Sequence, residues 1–258
     1  MKKSTSEKPA YTVLADIYDD VMTDVDYETW TDYIDEIIIQ HTKKADDVLE
    51  LACGTGTMAL SLEELDCYNI TATDGSADMI RIAKKKASHI DSSVDFITMD
   101  FLKLKLEKKF DVVFMVFDSL NYLHSEQEIL KLHEQVRKIL KPDGIFIYDF
   151  TTPRNSRTAI NFLDNEKKTL NNNTRYFRKS TYDAKNRIHT NSFIIDKLDG
   201  KTNSVIQQFK EQHQQRIYTL REIESILEKT DFSIEAAYDG FELKPAHRKS
   251  LRITMVLK

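Results

Sequence analysis

Apolar positions change their spacing several times along the chain. Over residues 27–40 they recur at i, i+3, i+4, i+7 and i+8 (Trp30, Tyr33, Ile34, Ile37, Ile38), the period of a helix with one buried face. From residue 46 short apolar runs alternate with helix-period stretches. Residues 47–52, 70–74, 94–99, 111–117 and 145–150 read as strands, with helices at 58–65, 77–87 and 126–140. Ser125-Glu126-Gln127-Glu128 carries a capping-box pattern. Lys141-Pro142-Asp143-Gly144 then stops that helix sterically. The strands are apolar throughout rather than alternating, as burial on both faces demands. Strand–helix alternation of this kind predicts a parallel sheet with helices on both sides.

After residue 150 the rhythm breaks. Residues 175–182, 187–196 and 204–217 are rich in β-branched and aromatic residues with alternating polarity. Turn-forming Asp183-Ala184-Lys185-Asn186 and Asp199-Gly200-Lys201 separate them. Three antiparallel strands are therefore expected as an insertion. Thr219-Leu220-Arg221-Glu222 then opens a helix to about residue 229, and strands follow at 233–238 and 251–257. The expected fold is α/β: a Rossmann-like, doubly wound, seven-stranded, mostly parallel sheet with an inserted three-stranded antiparallel sheet. Its parts are a helical N-terminal cap (1–44), a cofactor-binding domain (45–150 and 218–258) and an inserted substrate or lid region (151–217). The first ten residues are polar and expected to fray.

Composition narrows the class without naming an activity. At 258 residues, 41% hydrophobic and 31% charged, the chain can bury an ordinary core, which excludes wholesale disorder. Residues 112–117 form its longest apolar run, far short of the ~20 a membrane span needs. Met1-Lys2-Lys3 is not followed by an apolar stretch, so no signal peptide and no membrane association are expected. Cys53 and Cys67 provide neither a disulfide framework nor metal-ligand spacing, so no metal is expected and a cytoplasmic location is. The net charge of −5, with acids and bases interleaved, argues against a nucleic-acid partner. A monomer or a homodimer would fit equally.

Chemistry enters at Val48-Leu49-Glu50-Leu51-Ala52-Cys53-Gly54-Thr55-Gly56-Thr57-Met58-Ala59, a strand, a glycine turn and a helix start. It matches G-x-G-x-x-A, with Asp74 at the next strand end, ~20 residues on. Such a turn lets a ligand approach the backbone, and the acid would accept from two ribose hydroxyls. Acids stand at or just beyond the ends of all five parallel strands: Glu50, Asp74, Asp100, Asp118 and Asp149. Asp149 and Asp118 could simply serve turns or helix caps. A pyrophosphate would meet this acidic rim with no lysine or arginine in the turn, whereas the sulfonium and ammonium of S-adenosylmethionine would be attracted.

These residues resemble the class I S-adenosylmethionine-dependent methyltransferases. Glu50-Leu51-Ala52-Cys53-Gly54-Thr55-Gly56 is similar to their first motif, and Asp74-Gly75-Ser76-Ala77-Asp78-Met79 to their ribose-binding strand end. Asp100-Phe101 resembles the pair that receives the adenine, and Leu140-Lys141-Pro142-Asp143-Gly144-Ile145 the approach to strand five. The resemblance implies S-adenosyl-L-methionine as cofactor, held by Glu50, Ala52, Gly54, Gly56, Asp74, Gly75, Met79, Asp100, Phe101 and Phe117. Ala15-Asp16-Ile17-Tyr18-Asp19 with Trp30 is similar to the N-terminal cap of bacterial small-molecule members. That implies Tyr18 and Trp30 over the methionine end. The insertion resembles that of amino-sugar N,N-dimethyltransferase-like proteins, in which the segment matching His213-Gln214-Gln215-Arg216-Ile217-Tyr218 sits over the active site.

Methyl transfer is an in-line displacement that needs alignment and exclusion of water. A general base helps where the acceptor must lose a proton. His213, Tyr122 and His124 are the candidates. Cys53 reads as a small buried residue. Seven bases in residues 165–190 (Lys167, Lys168, Arg175, Arg178, Lys179, Lys185, Arg187) against Glu166 and Asp183 could attract an anionic acceptor. The prolines precede Ala, Asp, Arg and Ala, so the Pro-Cys and Pro-Pro-aromatic signatures of DNA methyltransferases are missing. The expected activity is methyl transfer to a small molecule, with nitrogen preferred over oxygen. Alternatives are a tRNA or rRNA methyltransferase, an NAD-dependent oxidoreductase and a non-catalytic S-adenosylmethionine-binding protein. Against the oxidoreductase, no tyrosine has a lysine four residues later.

Overall fold

The computed structural model describes residues 5–170 and 173–258. The chain opens with strand β1 (Thr5–Glu7), a 3₁₀ turn (Leu14–Ile17) and helices α1 (Tyr18–Val21) and α2 (Tyr27–His41). Asp26 caps α2 by accepting from the Thr29 amide, and Trp30, Tyr33, Ile34, Ile37 and Ile38 form its buried face. Then come β2 (Asp47–Leu51), α3 (Thr57–Glu63), β3 (Asn69–Asp74), α4 (Ala77–Ile90), β4 (Asp95–Thr98), β5 (Phe110–Met115), α5 (Glu126–Ile139) and β6 (Leu140–Thr151). The insertion supplies α6 (Pro153–Leu163), β7 (Glu166–Leu170), β8 (Thr174–Asp183), β9 (Ile188–Leu198) and β10 (Val205–Arg216). The chain ends with α7 (Leu220–Leu227), β11 (Ile234–Asp239), β12 (Glu242–Pro245) and β13 (Arg252–Leu257). Both capping boxes form, at Ser125/Glu128 and Thr219/Glu222.

The main sheet runs β12-β11-β13-β6-β5-β2-β3-β4. Strands β2 to β6 are parallel, and β13 lies antiparallel between β6 and β11. Seven of its strands are those expected; the eighth, β12, adds a short hairpin at the edge. Apolar clusters cover both faces, one around α2, α3 and α4 and the other around α5 and α7. The β2 strand pairs with β3 on one side and β5 on the other, so consecutive crossovers diverge there. A crevice opens at such a switch point, outside the carboxyl ends of the strands.

The second sheet is larger than expected, with the order β1-β10-β9-β8-β7. Its three central strands are the anticipated ones. The edges are β7 and, from the other end of the chain, β1, which pairs in parallel with β10 through Ser6↔Phe209 and Glu7↔Lys210. That pairing orders part of the N-terminal stretch expected to fray; residues 1–4 lie outside those described. Val13, Leu14 and Ile17 pack against Tyr176, Phe193 and Ile195, joining the cap to the insertion. Helix α6 was not among the expected elements; its apolar residues, Ala159, Ile160, Phe162 and Leu163, are confined to its second half, and of its residues only Ser156 is buried. Its start is nevertheless marked by the Thr152 cap and Pro153 at the first turn.

Candidate active site

The β2–α3 turn is held by main-chain geometry. Ala52, Gly54 and Gly56 all have left-handed φ values, +55°, +56° and +78°. The two glycines differ in their reason for being glycine. A Cβ at Gly56 would lie 2.5 Å from the Phe96 ring, so this position is reserved for close packing beneath the turn. A Cβ at Gly54 would meet only Tyr18, at 3.9 Å, across open space. The Gly54 amide donates to Asp74 Oδ2 (2.9 Å) and the Ser76 amide to Oδ1 (2.7 Å), which locks that carboxylate between two strand ends.

Above the turn lies a cavity of about 460 Å³. Of the residues expected to hold a cofactor, Tyr18, Glu50, Ala52, Gly54, Asp74, Gly75, Met79, Phe101 and Phe117 line it. Three do not. Gly56 faces Phe96, as described. Trp30 stands one layer back, its ring 4.4 Å from that of Phe117. Asp100 is exposed, accepts from the Leu102 amide at 2.8 Å and pairs with Lys103. Sequence reasoning missed Tyr11 and Tyr27, which also line the cavity, as does Ser76. Ser76 donates through its hydroxyl to the Tyr11 carbonyl at 2.8 Å, tying the cap down over the opening.

The acidic rim is smaller than the strand ends suggested. Arg252 ion-pairs with both Asp118 and Asp149, and the Asp118 amide donates to Asp149 Oδ1 at 3.1 Å. Those two acids thus share one guanidinium within the protein, and Asp100 stands outside the cleft. Glu50 and Asp74 remain, and both line the cavity. Burial, reinforced by Asp74, pushes the Glu50 carboxyl well above the usual carboxylate range, and its Oε2 has no hydrogen-bond partner. Burial also raises Asp74, against the lowering pull of the Ser76 and Gly54 amides. A buried, unpartnered carboxylate oxygen beside an open cavity is complementary to a cationic ligand. Asp74, with Gly75 beside it facing open space, leaves room for a sugar edge. These residues fit S-adenosylmethionine.

A smaller cavity, about 280 Å³, adjoins the first and shares Tyr11, Tyr18 and Tyr122 with it. Its far wall comes from the insertion: Asn155 of α6, Arg178 of β8, His189, Asn191 and Phe193 of β9, and His213 and Gln215 of β10. The Tyr11 and Tyr122 hydroxyls are 2.5 Å apart, and the Tyr122 hydroxyl lies 3.4 Å from His213 Nδ1. Burial raises the phenols of Tyr11, Tyr18 and Tyr122, so they persist as neutral hydroxyls. Tyr122 is therefore equipped to hydrogen-bond rather than to act as a base. His213 is buried, and its Nε2, 3.7 Å from Glu211 Oε2, has no hydrogen-bond partner. His124 points elsewhere, to the Gln214 carbonyl at 3.1 Å. Glu211, which sequence reasoning missed, also accepts from the amides of Val13 and Leu14, so it binds the cap to the strand carrying His213.

The basic stretch does not converge on either cavity. Arg175 pairs with Asp196, Arg178 with Glu166 and Arg187 with Glu222, and of the seven bases only Arg178 faces the smaller cavity. Cys53 is buried with its thiol raised by that burial, which leaves it unreactive. Among the described residues, no three His, Cys, Asp or Glu side chains are grouped to hold a metal ion, and no helix is long and apolar enough to cross a membrane.

Residues 48–144, which carry the glycine turn and the first cavity's strand ends, match a family model described as a methyltransferase domain. The Bacillus subtilis protein YqeM, which carries a methyltransferase name, is 27% identical over 234 residues, 90% of each chain. The crystal structure of an S-adenosylmethionine-dependent methyltransferase from Clostridium acetobutylicum superposes with a TM-score of 0.77 at 27% identity, covering 96% of this chain and 98% of that one. The chain is a class I S-adenosylmethionine-dependent methyltransferase. Its cofactor is S-adenosyl-L-methionine, and the nicotinamide alternative falls away. The fold likeness extends to CalS10 of Micromonospora echinaspora, an amino pentose methyltransferase solved with S-adenosylmethionine bound. It has a TM-score of 0.67 at 15% identity, over 93% of this chain and 96% of that one.

Proposed function

We propose that this methyltransferase acts on a small molecule seated in the 280 Å³ cavity, and that the acceptor atom is an amine nitrogen. The observation that carries this reading is the junction of the two cavities at Tyr11, Tyr18 and Tyr122. In it, Glu50, Asp74 and the glycine turn hold the cofactor, with Phe101, Phe117 and Met79 around it. S-adenosylmethionine, when bound, supplies a methyl group on a sulfonium. The three tyrosines form the wall across which donor and acceptor meet, and the cap and insertion together exclude water. His213 is the residue placed to take the proton that an amine must lose, since its imidazole lies next to Tyr122 on the acceptor side.

Polarity favours nitrogen. Arg178 and Arg252 are each paired with acids, so among the described residues no lysine or unpaired arginine lines the cavity to meet an anionic acceptor. The unpartnered Asn191 Oδ1, an acceptor on the cavity wall, instead suits a ligand N–H group. The amino pentose substrate class in the name of CalS10 agrees with this chemistry.

The test is release of S-adenosylhomocysteine in the presence of amino sugars and other small amines, the matching alcohols, and bulk tRNA and rRNA. Turnover with an amine is expected, and His213→Gln should lower kcat about 10²-fold while leaving S-adenosylhomocysteine affinity within about twofold. Methylation of RNA alone, or of alcohols alone, would overturn the reading. Tight cofactor binding with no transfer to any class would point instead to a non-catalytic binder.

A further inference from the structure

On the opposite face of α6 from the acceptor cavity lies a separate hollow of about 410 Å³. Asn155, Ser156 and Ala159 of this helix face the acceptor, whereas Arg154 and Arg157 face the hollow. Arg221 of α7 and Arg248 of the turn before β13 bring to four the exposed arginines that line the hollow, against a single acid, Glu224. The chain has eleven arginines, and besides those four only Arg137 and Arg216 lack an ion pair among the described residues, each bonding a main-chain carbonyl instead. Among the other seven, Arg81, Arg175, Arg178, Arg187 and Arg252 are paired with carboxylates. None of the four in the hollow has an ion pair among the described residues, and Arg154 bonds only the Lys249 carbonyl, at 2.9 Å.

A protein of net charge −5 has acids enough to neutralise these groups, yet it gathers four arginines around one concavity and leaves them unpaired. Their mutual repulsion favours an anion between them. Guanidinium forks match phosphate oxygens two at a time, and four unpaired arginines around one hollow suit a group with more than one negative charge. The helices α6 and α7 both begin at this hollow, capped by Thr152 and Thr219; the first turn of α6, which holds no acid, adds partial charge of the same sign, whereas Glu222 already caps α7. The volume falls within the ~300–1,000 Å³ typical of small-molecule sites.

We propose that this hollow binds the phosphate groups of a small phosphorylated ligand. The inference is independent of the acceptor assigned above, because no residue is shared between the two cavities. Inorganic pyrophosphate is the probe, titrated calorimetrically at about 0.15 M salt into protein saturated with S-adenosylhomocysteine, so that the first cavity is filled. Pyrophosphate should bind, and the Arg157→Ala/Arg221→Ala double variant should bind it at least about tenfold more weakly. S-adenosylhomocysteine affinity should not change in that variant, which shows that the fold is intact. Should the double variant fail to fold, Arg248→Ala, an exposed turn substitution, should give the same direction of change. Absence of pyrophosphate binding to the wild type, or equal binding to the variants, would overturn the proposal. So would binding of a short single-stranded RNA but not of pyrophosphate, which would assign the surface to a nucleic-acid backbone.

Discussion

The two adjoining cavities are built by different means. Around the larger one the main chain does the shaping. Tyr11, Ala52 and Phe117 hold left-handed φ values of +60°, +55° and +60° on its wall, and backbone amides fix both oxygens of Asp74. Non-glycine residues in that region cost on the order of 1–3 kcal/mol each and persist only where their surroundings enforce them. The smaller cavity is lined chiefly by side chains projecting from α6, β8, β9, β10 and β13. On the function proposed above, a constant cofactor would meet a frame set by the main chain, and the acceptor a surface set by side chains.

If this contrast holds, the frame should be brittle where it is packed and tolerant where it is open. Gly56→Ala should cost about 2–4 kcal/mol of stability, from strain at φ +78° and collision with Phe96. Gly75→Ala, with nothing within 4 Å, should be nearly neutral. Urea denaturation of both decides the point; equal losses would mean that packing under the turn is not what demands glycine. Asp74→Ala should weaken S-adenosylhomocysteine binding by about 1.5–3 kcal/mol, read by calorimetry. Unchanged affinity would remove Asp74 from the ribose edge.

Glu50 sharpens the comparison through pH. Its carboxyl is raised in the folded state by burial and Asp74, so its favourable contribution is present below the usual carboxylate range and is lost as pH rises through the raised value. Glu50→Gln should therefore raise Tm at pH 8, with the gain shrinking as pH falls below that range, while cofactor affinity drops. A lower Tm at pH 8 would mean that the buried carboxylate is better compensated than its orphaned Oε2 indicates. The smallest effect is expected at Asp100→Asn. An exposed acid occupied with its own turn should change cofactor affinity by less than about 0.5 kcal/mol.

Much of the first cavity was legible in the sequence, because demands on the main chain leave local traces. A left-handed turn selects Gly54 and Gly56, and a strand end places Asp74 in register with them. The apolar runs of β2 to β6 were equally plain. The rim was over-read, since strand-end position cannot show that Arg252, more than a hundred residues on, engages both Asp118 and Asp149. Tyr11 and Glu211 were invisible for the same reason. One comes from a polar N-terminal stretch and the other from an alternating strand, and their roles exist only once β1 and β10 are side by side. Helix α6 escaped because its apolar residues crowd into its second half, leaving a first half of polar and charged residues that reads as a loop.

The stitching of β1 to β10 has a corollary. Residues 9–12 roof the larger cavity, and they are anchored by β1 on one side and on the other by the two amides that Glu211 accepts. The strand that holds this roof by its edge is the one that brings His213 to the neighbouring chamber, so roof and wall belong to one hydrogen-bonded sheet.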